Sequence, residues 1–215
     1  MYPMTSIILI RHGETAWNAA RRLQGHTDIA LNAEGERQAD ALAAALAGER
    51  FDAIGASDLL RAHQTAAAIA RHHGLEVVRD ARLRERCYGA FEGLLYAEVA
   101  RRYPDEWEAW QAREVDAVPP PGERIAESFR AFYERSLGAI LDWAARHPGK
   151  SLVLVAHGGV LECAYRAAHG MVLESPRSFP IRNASINRFR VANGKLLLDS
   201  WGETEHLKAK ALDEL

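Results

Sequence analysis

The feature that most restricts the fold of this chain is a pair of short apolar runs, "SIILIR" at residues 6–11 and "SLVLVA" at residues 151–156. Neither alternates apolar with polar positions. A half-buried strand would alternate, so an unbroken run this short reads as a strand covered on both faces, the habit of parallel sheets flanked by helices. Each run is followed at once by a His-Gly pair, His12-Gly13 and His157-Gly158. In open α/β sheets ligands gather beyond the carboxyl ends of the strands. Two histidines delivered there by two strands predict one site built from both halves of the chain.

The remaining pattern supplies the flanking layers. "LNAEGERQADALAAALAG" predicts a helix with Asn32 as N-cap, Glu34 and Glu36 in its first turn and Gly48 as its stop. "SDLLRAHQTAAAIARHHG" predicts a second, opening at Ser57-Asp58 and closing at Gly74. Two more strand candidates are "DAIGAS" and residues 75–80. Helices are expected over 125–147, ended by Pro148-Gly149, and over 160–169, closed by Gly170. Asn193-Gly194 lies between two apolar runs and predicts a hairpin, because both residues tolerate positive φ. The expected fold is α/β: a three-layer sandwich with a mainly parallel central sheet, helices on both faces and an antiparallel edge hairpin. Residues 86–124 fit this scheme poorly. They carry Tyr88, Tyr96, Tyr103, Trp107 and Trp110 before "VPPPGE", and they predict a lid insertion on an otherwise single domain spanning 1–215.

Composition excludes several classes of function. A net charge of −2 invites neither nucleic acid nor an anionic membrane, so anion binding has to come from local placement of arginines. No apolar run is long enough to span a bilayer, and Arg11-His12 interrupts the one that could have formed a leader peptide. Cys87 and Cys163 have no ligand spacing and read as reduced thiols of a cytoplasmic protein.

The candidate site gathers around the two histidines. Arg11 precedes His12, and Arg61 falls in the first turn of a helix, where a cation opposes the helix dipole unless an anion neutralises both. The helix after His157 is expected to aim its free N–H groups at the same place. Two arginines, two histidines and a helix N-terminus describe a pocket for a phosphoryl group. His12 is then the expected nucleophile, Glu85 in "LRERCYG" the general acid and later base, and Arg11, Arg61 and His157 the groups that stabilise charge on the phosphoryl oxygens. A two-His-one-Glu metal site fits less well, because a metal pocket rarely recruits two arginines. His26, His63, His72, His73, His147, His169 and His206 read as solvated.

In order along the chain, "LIRHGETAWN", "LQGHTDIALNAEGERQA", "SDLLRAHQTA", "LRERCYGAFEG" and "LVLVAHGG" resemble the successive signatures of the histidine phosphatase superfamily, in its phosphoglycerate mutase-like branch. The resemblance implies the same roles: His12 phosphorylated, Glu85 the proton donor, Arg11, Arg61 and His157 around the phosphate. It adds Asn18, Gln24 and Gly25 as phosphate contacts, with Tyr88 and Gly158 among the substrate-binding residues, and it implies no metal or other cofactor. The implied partner is a small phosphorylated metabolite.

That branch holds both mutases and phosphatases. Where the mutase pattern runs Glu-Arg-His-Tyr-Gly and then supplies a lysine, this chain has Cys87 for the histidine and Tyr96 for the lysine. Arg113 stands alone where the mutases carry an Arg-Arg pair, and Gly159 replaces an asparagine. These departures remove cations that a bisphosphate intermediate needs. They favour a metal-independent phosphatase of small phosphate monoesters working through a phosphohistidine. The alternatives are a 2,3-bisphosphoglycerate-dependent phosphoglycerate mutase and an inactive phosphate-binding regulatory module.

Overall fold

The computed structural model describes residues 4–207 and Asp213. In chain order the elements are β1 (Thr5–Arg11), α1 (Ala16–Ala19), α2 (Ala33–Leu46), β2 (Ala53–Ala56), α3 (Leu60–His73), β3 (Val77–Arg79), α4 (Tyr96–Arg102), α5 (Pro104–Gln111), α6 (Phe129–Arg146), β4 (Ser151–Ala156), α7 (Gly158–His169), β5 (Ile186–Ala192) and β6 (Lys195–Glu203). Single 3-10 turns lie at Ala81–Leu83 and Gly89–Phe91.

The six strands form one sheet in the order β3-β2-β4-β1-β5-β6. The β3, β2, β4 and β1 strands run parallel, and β5 and β6 join antiparallel as the expected edge hairpin. Its turn residues Asn193 and Gly194 both have positive φ, 51° and 71°. The unbroken apolar runs are explained by period-2 sidedness with both sides covered. Ile7 and Leu9 of β1, with Leu152 and Leu154 of β4, pack in one core against Ile140 of α6 and Leu161 of α7. Ile8, Ile10, Val153 and Val155 pack in the other against Leu42 of α2 and Ile69 of α3.

Capping chemistry sets most helix ends. The Asn32 side chain accepts from Gly35 N and opens α2, and Gly74 and Gly170 close α3 and α7 in the left-handed region. Several boundaries differ from expectation, and α7 begins at Gly158 rather than 160. The long helix begins at Phe129 rather than 125, because Ser128 Oγ accepts from Ala131 N and caps it there. The α2 helix stops at Leu46, before Gly48. The α3 helix opens at Leu60 without a side-chain cap; instead Asp28, from a distant loop, accepts from Leu60 N.

Segment 86–124 packs a small core of its own, in which Leu23, Phe91 and Val99 are buried under Tyr88, Tyr96, Tyr103, Trp107 and Trp110. No helix among the described residues is long and apolar enough to cross a membrane.

Candidate active site

The register of β1 on β4 pairs Arg11 with Ala156, so the next residues on the two strands, His12 and His157, lie side by side. The ladder continues one step further, with His12 N donating to Ala156 O at 3.0 Å. The two rings meet edge to face with centroids 5.1 Å apart. Asn183 Nδ2 donates to His12 O at 2.9 Å and fixes the strand end from the other side.

His12 is almost fully buried, and its Nδ1 lies 2.7 Å from Gly13 O. A carbonyl only accepts, so Nδ1 carries the proton and Nε2 is left with its lone pair. Burial first, then the charges of Arg61 and Arg11, hold His12 well below the ordinary imidazole pKa of 6.5. Burial, followed by Arg61, His12, His26 and Arg11, does the same to His157. Among the described residues neither ring nitrogen of His157 has a hydrogen-bond partner, a costly arrangement for a fully enclosed imidazole unless a ligand oxygen completes it.

Gly13 lies where the backbone turns after β1. It serves helix packing: a Cβ at Gly13 would stand 2.5 Å from Gly35 O at the start of α2. Gly13 N donates to Thr65 Oγ1 at 3.1 Å, and Thr65 Oγ1 donates to Arg61 O at 2.8 Å, tying the loop after His12 to α3.

Both arginines are buried and aimed by carbonyls. Arg11 Nη1 donates to Ile181 O at 2.7 Å; Arg61 Nη1 and Nη2 donate to Thr27 O at 3.0 Å and Gly25 O at 2.8 Å. Asn18 and Gln24 are oriented through Thr15. The Asn18 Oδ1 accepts from Thr15 N at 3.0 Å, and Gln24 Oε1 accepts from Thr15 Oγ1 at 2.9 Å, which leaves the amide donors of both residues for the pocket they line. Gly25 has φ 53°, and a Cβ there would collide with the Glu92 carboxylate. Glu92 accepts from His26 N, Thr27 Oγ1 and Tyr88 N at 3.0, 2.7 and 3.1 Å, so one buried carboxylate joins the loop of Gly25 to the loop that follows Glu85.

Glu85 corrects a detail. The N-terminus of α7 was expected to receive the phosphate, yet Glu85 Oε2 accepts from Gly159 N at 2.9 Å and Oε1 from Arg86 N at 2.7 Å. The helix end seats the Glu85 carboxylate.

The pocket these residues make is lined by Arg11, His12, Asn18, Gln24, Gly25, Arg61, Glu85 and Tyr88, as expected, and also by Arg21, Arg22, Leu23, Tyr96 and Asp213. His157 stands behind its surface against His12. Gly158 is buried and does not line it; the neighbouring Gly159 lines a second cavity. Two residues go beyond or against the sequence reading. Asp213 is a second carboxylate at the pocket, held by Ile181 N at 2.6 Å. His26, read as solvated, is half-buried with Nε2 2.8 Å from Glu85 O.

A family model for the histidine phosphatase superfamily (branch 1) matches residues 7–204. The chain belongs to the histidine phosphatase superfamily. Over 205 residues it is 38% identical to phosphoglycerate mutase-like protein 4 of Arabidopsis thaliana, covering 94% of this chain and 86% of that one. It is 37% identical to a metal-independent phosphoserine phosphatase of the same plant, over 96% and 84% of the two chains. Among solved structures, a mutant phosphoserine phosphatase of Entamoeba histolytica in complex with phosphoserine superposes with a TM-score of 0.83 at 30% identity, covering 94% of this chain and 99% of that one. This histidine phosphatase therefore shares its fold with proteins whose names carry both activities of the branch.

Proposed function

We propose that this histidine phosphatase is a metal-independent phosphomonoesterase acting on small phosphorylated metabolites through a phosphohistidine. The observation that carries the reading is the state of His12: buried, neutral, its Nδ1–H given to Gly13 O, and flanked by Arg11 and Arg61. Nε2 attacks phosphorus while the ester P–O bond breaks, and Glu85 gives its proton to the departing oxygen. Arg11, Arg61 and His157 meet the charge on the equatorial oxygens. Water then attacks the phosphohistidine, Glu85 takes back a proton, and the P–N bond breaks to release phosphate and restore His12.

Hydrolysis is favoured over mutase chemistry by the fate of Arg113. Its Nη2 is paired with Glu162 at 2.7 Å, so the single arginine where two are expected is neutralised. The name of the Arabidopsis phosphoserine phosphatase agrees with this choice. Segment 86–124 acts as the lid, and the two buried, unpaired thiols suit a cytoplasmic protein.

The test is a rapid quench in acid and base with a radiolabelled monoester. The expected result is an acid-labile, base-stable phosphoenzyme that forms and decays at kinetically competent rates and is absent in His12→Ala. Normal turnover by His12→Ala would overturn the mechanism.

A further inference from the structure

A second cavity of about 420 Å³, within the usual range for small-molecule sites, opens beside the phosphate pocket. Tyr88 and Tyr96 line both. The leaving group of an ester held at His12 therefore passes between these tyrosines into the larger chamber. Its walls include Phe91, Trp110, Phe129 and Phe132, with Tyr88 stacked on Trp110 at 5.4 Å and 10°. Flat apolar walls of this kind fit a ring better than a three-carbon chain.

The charges in the chamber are unevenly satisfied. Arg113 is committed to Glu162, and Arg177 also lines the space. Arg86 has no carboxylate partner among the described residues: its Nε donates to Glu127 O at 2.9 Å, one Nη to Ala117 O at 3.4 Å, and the guanidinium lies 5.8 to 6.0 Å from the ring centres of Tyr88, Trp110 and Phe129. The carboxylates of Glu127 and Glu85 are engaged elsewhere, the first by Arg135 and Cys87 N, the second by Arg86 N and Gly159 N. Burial lowers the pKa of Arg86 against the opposing pull of Tyr88, Glu127 and Glu85, but a guanidinium stays charged in proteins, and a desolvated cation that no carboxylate pairs directly is unfavourable. An anion entering the chamber would relieve it. Glu106, Glu114 and Glu162 also line this space and oppose a dianion. One carboxylate, matched to the planar fork of one guanidinium, is the better complement.

We propose that Arg86 is a specificity-determining residue that receives a carboxylate carried on a ring-sized, partly apolar leaving group. The preferred substrates are then phosphate monoesters of hydroxy acids built on such a ring. This rests on the phosphomonoesterase reading and extends it to a substrate class.

The experiment compares 3- and 4-carboxyphenyl phosphate with the matching carbamoylphenyl phosphates, which have the same shape and no charge. Wild type is expected to prefer a carboxylate ester by at least tenfold in kcat/KM. Arg86→Met should bring that ratio to about one, and Arg86→Lys should recover part of it. Competitive inhibition of wild type by the 3- and 4-hydroxybenzoates and the matching hydroxybenzamides, which needs no turnover of the variants, should show the same preference. Equal use of charged and neutral esters by wild type, or a preference that survives in Arg86→Met, overturns the proposal. Failure of wild type to release phosphate from any of the esters would instead count against the phosphomonoesterase reading.

Discussion

The Glu85 carboxylate and the backbone N–H of Gly159 are hydrogen bonded at 2.9 Å, so the proposed proton donor sits on the first turn of α7. That seat exists because residue 159 has no side chain. A Cβ there would run into Glu85 Oε1 and come within 2.8 Å of the Phe132 ring. Gly159→Ala is expected to lower kcat on p-nitrophenyl phosphate by about tenfold, equivalent to about 1.4 kcal/mol of transition-state stabilisation. Gly159→Asn should lose at least as much. Steady-state kinetics decide it: unchanged kcat in Gly159→Ala would mean that this seat does not matter to proton transfer.

Stability should fall in acid for a reason located in the same site. His12 and His157 are buried neutral, with pKa values held well below 6.5. Below pH 6.5 the unfolded chain takes up protons that the folded one refuses, so stability rises with pH in that range and is lost as pH falls. Each histidine contributes a slope of about 1.4 kcal/mol per pH unit below pH 6.5, until its folded-state pKa is reached. Urea unfolding between pH 7.5 and 5 should show this decline, and His157→Gln should flatten it. An identical slope in that variant would exclude His157 as a cause.

Partition between water and a second alcohol tests the reading of Arg113 and Tyr96. With 3-phosphoglycerate and catalytic 2,3-bisphosphoglycerate, little 2-phosphoglycerate is expected, while simple monoesters release phosphate under the same conditions. Each charge-assisted contact missing from the clamp is worth about 1.5–3 kcal/mol, enough to shorten an anionic partner's stay at least tenfold. Rapid isomerisation without phosphate release would show that the chain is a mutase.

Glu92 touches neither histidine, yet it braces the loops that carry Gly25, Thr27 and Tyr88, and Arg61 is aimed by two carbonyls of the same loop. Glu92→Ala strands several buried donors. It is expected to lower the melting temperature by several degrees and kcat/KM by about tenfold, with Glu92→Gln less severe because it keeps an acceptor. A variant with normal kcat/KM would show that the loops hold their geometry without it.

Much of this architecture is legible in the sequence because it is local. Residues 151–156 are bounded correctly by their apolar run alone, Asn32 announces its cap, and Asn193-Gly194 announces its hairpin. Strand ends place His12 and His157, and a helix start places Arg61. What stayed hidden depends on loops that meet across long stretches of chain. Asp213 reaches the pocket by bonding Ile181, Glu162 neutralises Arg113 from α7, and His26 touches Glu85. None of these pairs has a fixed spacing, so no periodicity announces them. The start of α6 moved for the opposite reason, since a local cap at Ser128 outweighed the helical composition before it.

The spacing of His12 and His157 is fixed by the hydrogen-bond ladder between β1 and β4, a distance that any sequence compatible with the strand pairing reproduces. The wall of the proposed leaving-group chamber belongs largely to residues 86–119, on separate elements with a separate small core. Evolution, or an engineer, can therefore exchange that wall to suit a new alcohol while the backbone keeps the gauge for the phosphoryl group unchanged.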